Sequence, residues 1–196
     1  MVTKFGLTKE QTTKIEKYIF KMLEFNNHTN IIGKSTLKNV WERHIADCLQ
    51  LSHFMPEKKS KIFDIGTGGG LPGVPLSIIG YSNVFMVDSV GKKIDFIRDI
   101  IKELALSAKT EKKRIEKVNI GKADLVVSRA LAPLNKLLFY TTFISNQKTT
   151  SLFLKGRNAY KEIEEAKKNF KFSFEIFKSV TSQEGSVLKI KNIQKM

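Results

Sequence analysis

The chain has 196 residues, 41% of them apolar and 27% charged, a balance that fits one soluble globular domain with a substantial core. No apolar run nears the roughly 20 residues that span a bilayer, and residues 1–10 lack a signal peptide's apolar stretch. A lone Cys48 and three scattered histidines (His28, His44, His53) give neither an internal disulfide nor metal-ligand spacing. The net charge of +15 excludes little but points to a polyanionic partner such as nucleic acid. Because only five of the 34 basic residues are arginine, a lysine-rich solvated surface is the plainer reading of the same number. A cytoplasmic, monomeric protein with no membrane contact and no metal is expected.

In chain order, Thr8 followed by Gln11 resembles a capping box. Ile15, Tyr18, Ile19, Met22 and Leu23 then recur at helical spacing. A second helix is expected from near Ser35, with Leu37, Val40, Trp41, His44, Ile45, Cys48 and Leu49 on one face. These two form an N-terminal helical extension over residues 1–57, ahead of a Rossmann-like core at 58–196 within a single domain. Ile62–Ile65 reads as a short buried strand, followed by a helix over Pro72–Ile79. Asn83–Asp88 is a strand and Lys92–Leu106 an amphipathic helix, with a weak, lysine-rich third strand at 109–114. Next come a strand at Asp124–Ser128, a helix at Pro133–Ile144, a strand at Ser151–Leu154 and a charged helix at Ala159–Asn169. Lys171–Phe177 and Ser186–Ile193 supply a closing antiparallel hairpin. Strands alternating with helices make an α/β fold around a mostly parallel, doubly wound sheet. Such sheets bind ligands at the carboxyl ends of their strands.

Glycine clusters once, between residues 66 and 73. A strand ending near Asp64 runs into Gly66-Thr67-Gly68-Gly69-Gly70, a turn in which the backbone can approach a ligand closely. The glycines fall at 66, 68 and 70, and Leu71 stands where a dinucleotide signature needs glycine. Asp88, at the end of the next strand, is placed to hydrogen-bond a ribose diol. S-adenosylmethionine has that ribose and no pyrophosphate, so Leu71 is tolerable there, and Asp64, Gly66, Gly68, Gly70 and Asp88 are read as its binding residues. A dinucleotide, or a turn with no ligand, are the competing readings.

The string Asp64-Ile-Gly-Thr-Gly-Gly-Gly-Leu-Pro-Gly-Val-Pro-Leu-Ser-Ile78 closely resembles the first motif of the RsmG (GidB) family. Further segments agree in order: Asn30 within His-Thr-Asn-Ile, Arg43-His44-Ile-Ala-Asp47, Val87-Asp88-Ser89, Arg114-Ile115-Glu116, Ser128-Arg129-Ala130 and Lys155-Gly156. The resemblance implies a class I S-adenosylmethionine-dependent methyltransferase that modifies guanine N7 in 16S ribosomal RNA, free or in the small ribosomal subunit. It implies that Gly66 and Leu71 line the cofactor pocket, that Asp88 meets the ribose, and that Ile115 and Glu116 flank the adenine. Arg129 would sit at the junction of cofactor and substrate. Asn30, His44, Arg114 and Lys155 would belong to the substrate side, with Arg129, Arg114, Asn30 and Lys155 as the catalytic group. Cys48 departs from the family's usual serine at that position.

The chemistry is coherent with that resemblance. Guanine N7 carries an exposed lone pair and no proton, so methyl transfer needs positioning rather than a general base. There is no Asn/Asp-Pro-Pro-aromatic motif for exocyclic amines and no Pro-Cys dipeptide for pyrimidine carbons. Arginine suits the paired acceptors N7 and O6 of guanine. Plainer readings stand beside these roles: His44 as a core histidine, Arg43 and Asp47 as an i,i+4 surface pair, and Lys155 as one lysine among many. A methyltransferase of another substrate, or a non-catalytic RNA-binding assembly protein, are the alternatives for the whole chain.

Overall fold

A computed structural model describes residues 5–196. Its centre is a seven-stranded sheet in the order β3-β2-β1-β4-β5-β7-β6. Strand β1 (Ile62–Ile65) is buried throughout and pairs in parallel with β2 (Val84–Asp88) and β4 (Leu125–Arg129). β3 (Lys109–Lys112) adds to β2, and β5 (Thr150–Lys155) to β4, both in parallel. The long β6 (Phe170–Lys178) and β7 (Ser186–Lys195) form the expected hairpin, with β7 antiparallel to β5. Chain direction reverses its winding between β1 and β4, so a crevice opens at their carboxyl ends.

Two apolar clusters cover the faces of the sheet. One joins α1 (Lys9–Asn26), α3 (Gly73–Ile78) and α4 (Gly91–Glu103) to the β1–β2 face through Ile15, Tyr18, Met22, Val74, Met86 and Ile97. The other seats α5 (Leu134–Ile144) and α6 (Ala159–Lys167) through Phe63, Val126, Leu138, Phe153 and Ile163. The capping box is present as read: Thr8 accepts from the Gln11 backbone, and the Gln11 side chain accepts from the Thr8 backbone.

The stretch after α1 differs from expectation. In place of one helix from Ser35, the chain makes a 3₁₀ segment (Lys34–Asn39), a π turn (Trp41–Ala46), a single α turn α2 (Asp47–Leu49) and a second 3₁₀ segment (Gln50–Phe54). Lys34–Asn39 buries nothing, so no packing holds it to an α-helical repeat. The wider π turn re-aims the side chains that follow, and His44, Ile45 and Ala46 are buried there. The weak strand at 109–114 is real but shorter. β3 is a sheet edge whose exposed lysines guard against edge pairing, which explains its faint apolar pattern.

Candidate active site

The glycine loop leaves β1 and is fastened on three sides. Gly66 and Thr67 donate backbone N–H to Val87 O at 2.9 and 3.1 Å, which ties the loop to β2. Asp64 Oδ2 accepts from Thr67 Oγ1 at 2.5 Å and from Gly73 N at 2.8 Å. Tyr18 of α1 donates its hydroxyl to Gly69 O at 2.7 Å from a wholly buried position. Gly66 has φ +67°, and a Cβ there would collide with the Leu131 side chain. At Gly69 a Cβ would lie 2.9 Å from Ile31 Cδ1. These two glycines let apolar side chains from distant segments close over the loop.

Three adjoining cavities run along the strand ends. The middle one, about 320 Å³, is lined by Ile31, Gly66, Gly68, Leu71, Asp88 and Arg129 among others. A smaller one, about 90 Å³, shares Gly66, Asp88 and Leu131 with it and adds Arg114, Ile115, Glu116 and Tyr140. The largest, about 480 Å³, shares Arg129, Ala130 and Leu131 with the middle cavity. Lys155, Arg43, Asp47, Arg157 and Glu184 also line it. Asp88 is anchored by Gly68 N on Oδ2 (3.1 Å) and Val90 N on Oδ1 (2.9 Å), so its carboxylate is fixed between the two smaller cavities. A carboxylate there, backbone on one wall and Ile115, Leu131 and Val87 beyond it, fit an adenosine-bearing cofactor.

Arg129 forms the wall between the middle and largest cavities. Its Nε donates to Asp47 Oδ2 at 3.1 Å, and its other arm donates to Arg43 O at 2.8 Å. Asp47 therefore pairs with Arg129, and not with Arg43 as in the plainer i,i+4 reading. Its second oxygen accepts from Thr181 Oγ1 (2.8 Å) and Gln50 Nε2 (2.8 Å). Gln50 is buried and accepts from Val180 N at 3.0 Å, which carries the brace into the loop between β6 and β7. Ala130, just after Arg129, is held at φ +53°, a strained backbone for a residue with a Cβ, at the point where the two cavities meet.

Several expected site residues fall elsewhere. Asp64 is fully buried behind the loop and lines none of the three cavities; its contacts organise the turn. Burial pushes its carboxyl up to about 7, with Thr67 and Gly73 pulling down and Asp88 pushing up. Gly70 also faces inward, toward Val74 and the Tyr18 hydroxyl. Arg114 joins Ile115 and Glu116 in the smallest cavity, away from the substrate-side group in which it was expected. Asn30 is exposed and lines none of the three, although its neighbour Ile31 does. Lys155 lines the largest cavity, but its ammonium is bound to Glu162 Oε2 (2.6 Å) and Ala132 O (3.0 Å), and Glu162 also caps α5 through Leu134 N. It braces the 130–133 turn.

His44 is buried with Nε2 2.7 Å from Thr36 Oγ1. Burial, then Arg129 and Arg43, lower its pKa to about 4, so it is neutral near pH 7. Burial pushes the Cys48 thiol far up, which removes it as a nucleophile. Tyr18, Gln50, Thr181 and Leu131 are site-forming residues that no sequence motif marks. Tyr18 read as core, which it also is, and Thr181 lies in a loop whose composition carries no motif.

The family model described as rRNA small subunit methyltransferase G matches residues 11–191. A ribosomal RNA small subunit methyltransferase G of Rickettsia prowazekii is 36% identical, covering 96% of this chain and 99% of that one. The protein of the same name from Rhodospirillum centenum is 33% identical, covering 96% and 88%. Among solved structures, magnesium protoporphyrin IX methyltransferase of Synechocystis, with bound S-adenosylmethionine, superposes with a TM-score of 0.62 at 14% identity, covering 95% of this chain and 98% of that one. A ribosomal protein L11 methylase from Lactobacillus delbrueckii gives 0.61 at 18% identity, covering 75% and 76%. Those two likenesses fix the fold as that of a class I methyltransferase, and the sequence matches show that the chain belongs to the rRNA small subunit methyltransferase G (GidB) family.

Proposed function

We propose that this chain transfers the methyl group of S-adenosylmethionine to N7 of a guanine in 16S ribosomal RNA. The observation that carries the reading is Arg129. It forms the shared wall of a crevice suited to adenosine and of a large, arginine-lined cavity, and Asp47 and the Arg43 carbonyl hold it in place. Asp88 would take the ribose hydroxyls, Ile115 and Glu116 the adenine, and the backbone of Gly66–Gly69 with Leu71 the amino-acid end. Bound there, the cofactor supplies an electrophilic methyl group.

The chain's own work is positional. The lone pair at N7 needs neither a base nor a metal to expose it, so effective concentration and alignment supply the rate. Arg129 offers a fixed donor toward N7's neighbour O6, where charge shifts as the purine becomes cationic. Arg43 and Arg157, both exposed at the large cavity, and the net charge of +15 favour a phosphate-bearing substrate. Among the described residues no helix is long and apolar enough to cross a membrane. The reading is of a cytoplasmic monomer that meets its substrate as RNA or as the small subunit.

Labelled S-adenosylmethionine and small ribosomal subunits lacking the modification test it. The expected product is label in 7-methylguanosine after nucleoside digestion; label in ribosomal protein, or none, would count against it. Arg129→Ala should lower kcat by about a hundredfold, the scale of losing one fixed donor at a reacting centre. Wild-type turnover in that variant would remove Arg129 from the chemistry.

A further inference from the structure

The cavity on the far side of Arg129 is lined by three acids, Asp47, Glu162 and Glu184. Two have internal partners: Asp47 is paired with Arg129 at 3.1 Å, and Glu162 with Lys155 at 2.6 Å. Glu184 has no hydrogen bond or ion pair among the described residues, and it faces a cavity otherwise rich in cations. A free carboxylate repels a phosphate, so in a site for a polyanion it speaks to a group that donates hydrogen bonds. Guanine is such a group. Its N7 and O6 are acceptors, while N1–H and the N2 amine on its opposite side are adjacent donors. Adenine has an acceptor at N1 in place of that pair.

We propose that Glu184 is a specificity-determining residue that takes the N1–H and N2 amine of the target guanine while Arg129 faces its N7 and O6 edge. This rests on the reading of the chain as a guanine-N7 methyltransferase. The cavity, about 480 Å³, is of the size of small-molecule sites and has room for a flipped-out purine. The loop that carries Glu184 is built in advance of any ligand. Ser179 N donates to Gly185 O at 2.9 Å, Gly185 N donates to Ser182 O at 3.3 Å, and Gln50 Oε1 accepts from Val180 N at 3.0 Å. The same loop holds Asp47 through Thr181 Oγ1 at 2.8 Å, so the cation and the acid that would bracket the base share one support. A charged acceptor against two donors is a strong pairing, and its loss is worth roughly tenfold or more in discrimination.

The experiment compares wild type, Glu184→Gln and Glu184→Asp on unmodified small ribosomal subunits with labelled S-adenosylmethionine, scoring 7-methylguanosine. Binding of S-adenosylhomocysteine by calorimetry is measured in parallel. Glutamine keeps the shape and one acceptor oxygen, and sets its amide donor against the other of the base's two donors. The expected result is at least a tenfold lower kcat/KM for the subunit in Glu184→Gln, partial retention in Glu184→Asp, and unchanged cofactor affinity in both. Unchanged kcat/KM in Glu184→Gln, or a matching fall in cofactor affinity, would overturn the assignment. If wild type itself forms no 7-methylguanosine, the reading of the function falls first and this assignment with it.

Discussion

In the role proposed for it, Arg129 would depend on its neighbours. A guanidinium at a strand end is mobile in isolation, and turnover by alignment needs it fixed. Here Nε and Nη2 are engaged, Nη1 has no partner among the described residues, and the carboxylate that holds Nε is itself held by Thr181 and Gln50. Thr181 is thus a positioning residue that acts through Asp47. Thr181→Val removes the hydroxyl donor and keeps the shape, and a hydrogen bond to a charged group is worth about 1.5–3 kcal/mol. We expect kcat to fall about tenfold with the KM for S-adenosylmethionine unchanged, and Thr181→Ser to restore it. Steady-state kinetics on the three proteins decide the matter. A serine variant as impaired as the valine one would show that the loop tolerates no change there and that the hydroxyl is not the reason. The sequence offered Asp47 only Arg43, four residues back on the same helix face. Of its actual partners only Gln50 is near in sequence, at i+3; Arg129 and Thr181 lie 82 and 134 residues away, at separations that no helical or strand periodicity encodes.

At the scale of elements, the parts that follow a regular period were legible and those that break it were not. β1, β2, β4 and β5 are buried apolar runs, and α4 and α6 are amphipathic, so their places follow from pattern alone. The glycine loop was legible because its composition has few other uses. The 34–54 stretch was not, since its π turn and 3₁₀ segments share local propensities with an α-helix and are selected by tertiary packing around His44 and Ile45. Nor could the sequence show that α1 touches the glycine loop. Tyr18 sits at an apolar-face position in α1, and its ring packs as core while its hydroxyl reaches Gly69 O. That makes α1 a clamp on the loop. Tyr18→Phe keeps the ring and leaves the carbonyl with no side-chain donor, costing about 1 kcal/mol of stability. It should also weaken S-adenosylhomocysteine binding several-fold, because the loop is then free to shift. Thermal unfolding and calorimetry on the same samples check both effects. Lower stability with unchanged affinity would mean that α1 supports the fold and not the site.

Across the whole molecule, two buried ionisable groups oppose each other as pH changes. Among the described residues neither Asp64 Oδ1 nor His44 Nδ1 has a hydrogen-bond partner, so each side chain meets burial with part of its polarity unanswered. Burial raises Asp64 from 3.8 to about 7 and lowers His44 from 6.5 to about 4. Linkage fixes the sign of each effect. For Asp64 the folded state holds its proton more tightly than the unfolded chain does. Its contribution to stability is fully present below about pH 3.8 and is lost as pH rises through 7. For His44 the unfolded chain binds the proton more tightly, so its contribution is fully present above pH 6.5 and is lost as pH falls through 4. Between pH 4 and 6.5 the two slopes run in opposite directions and partly offset. Single variants separate them. Asp64→Asn keeps an oxygen for the Thr67 and Gly73 donors and does not titrate; relative to it, wild type should gain Tm as pH falls from 7 to 4. His44→Gln keeps a polar partner for Thr36; relative to it, wild type should lose Tm over the same range. Melting curves at half-unit pH steps, taken as differences from wild type, cancel the many surface carboxylates common to all three proteins. Two difference curves of opposite slope are the expected result, and a flat curve for either variant would show that its buried group keeps an ordinary pKa in the fold.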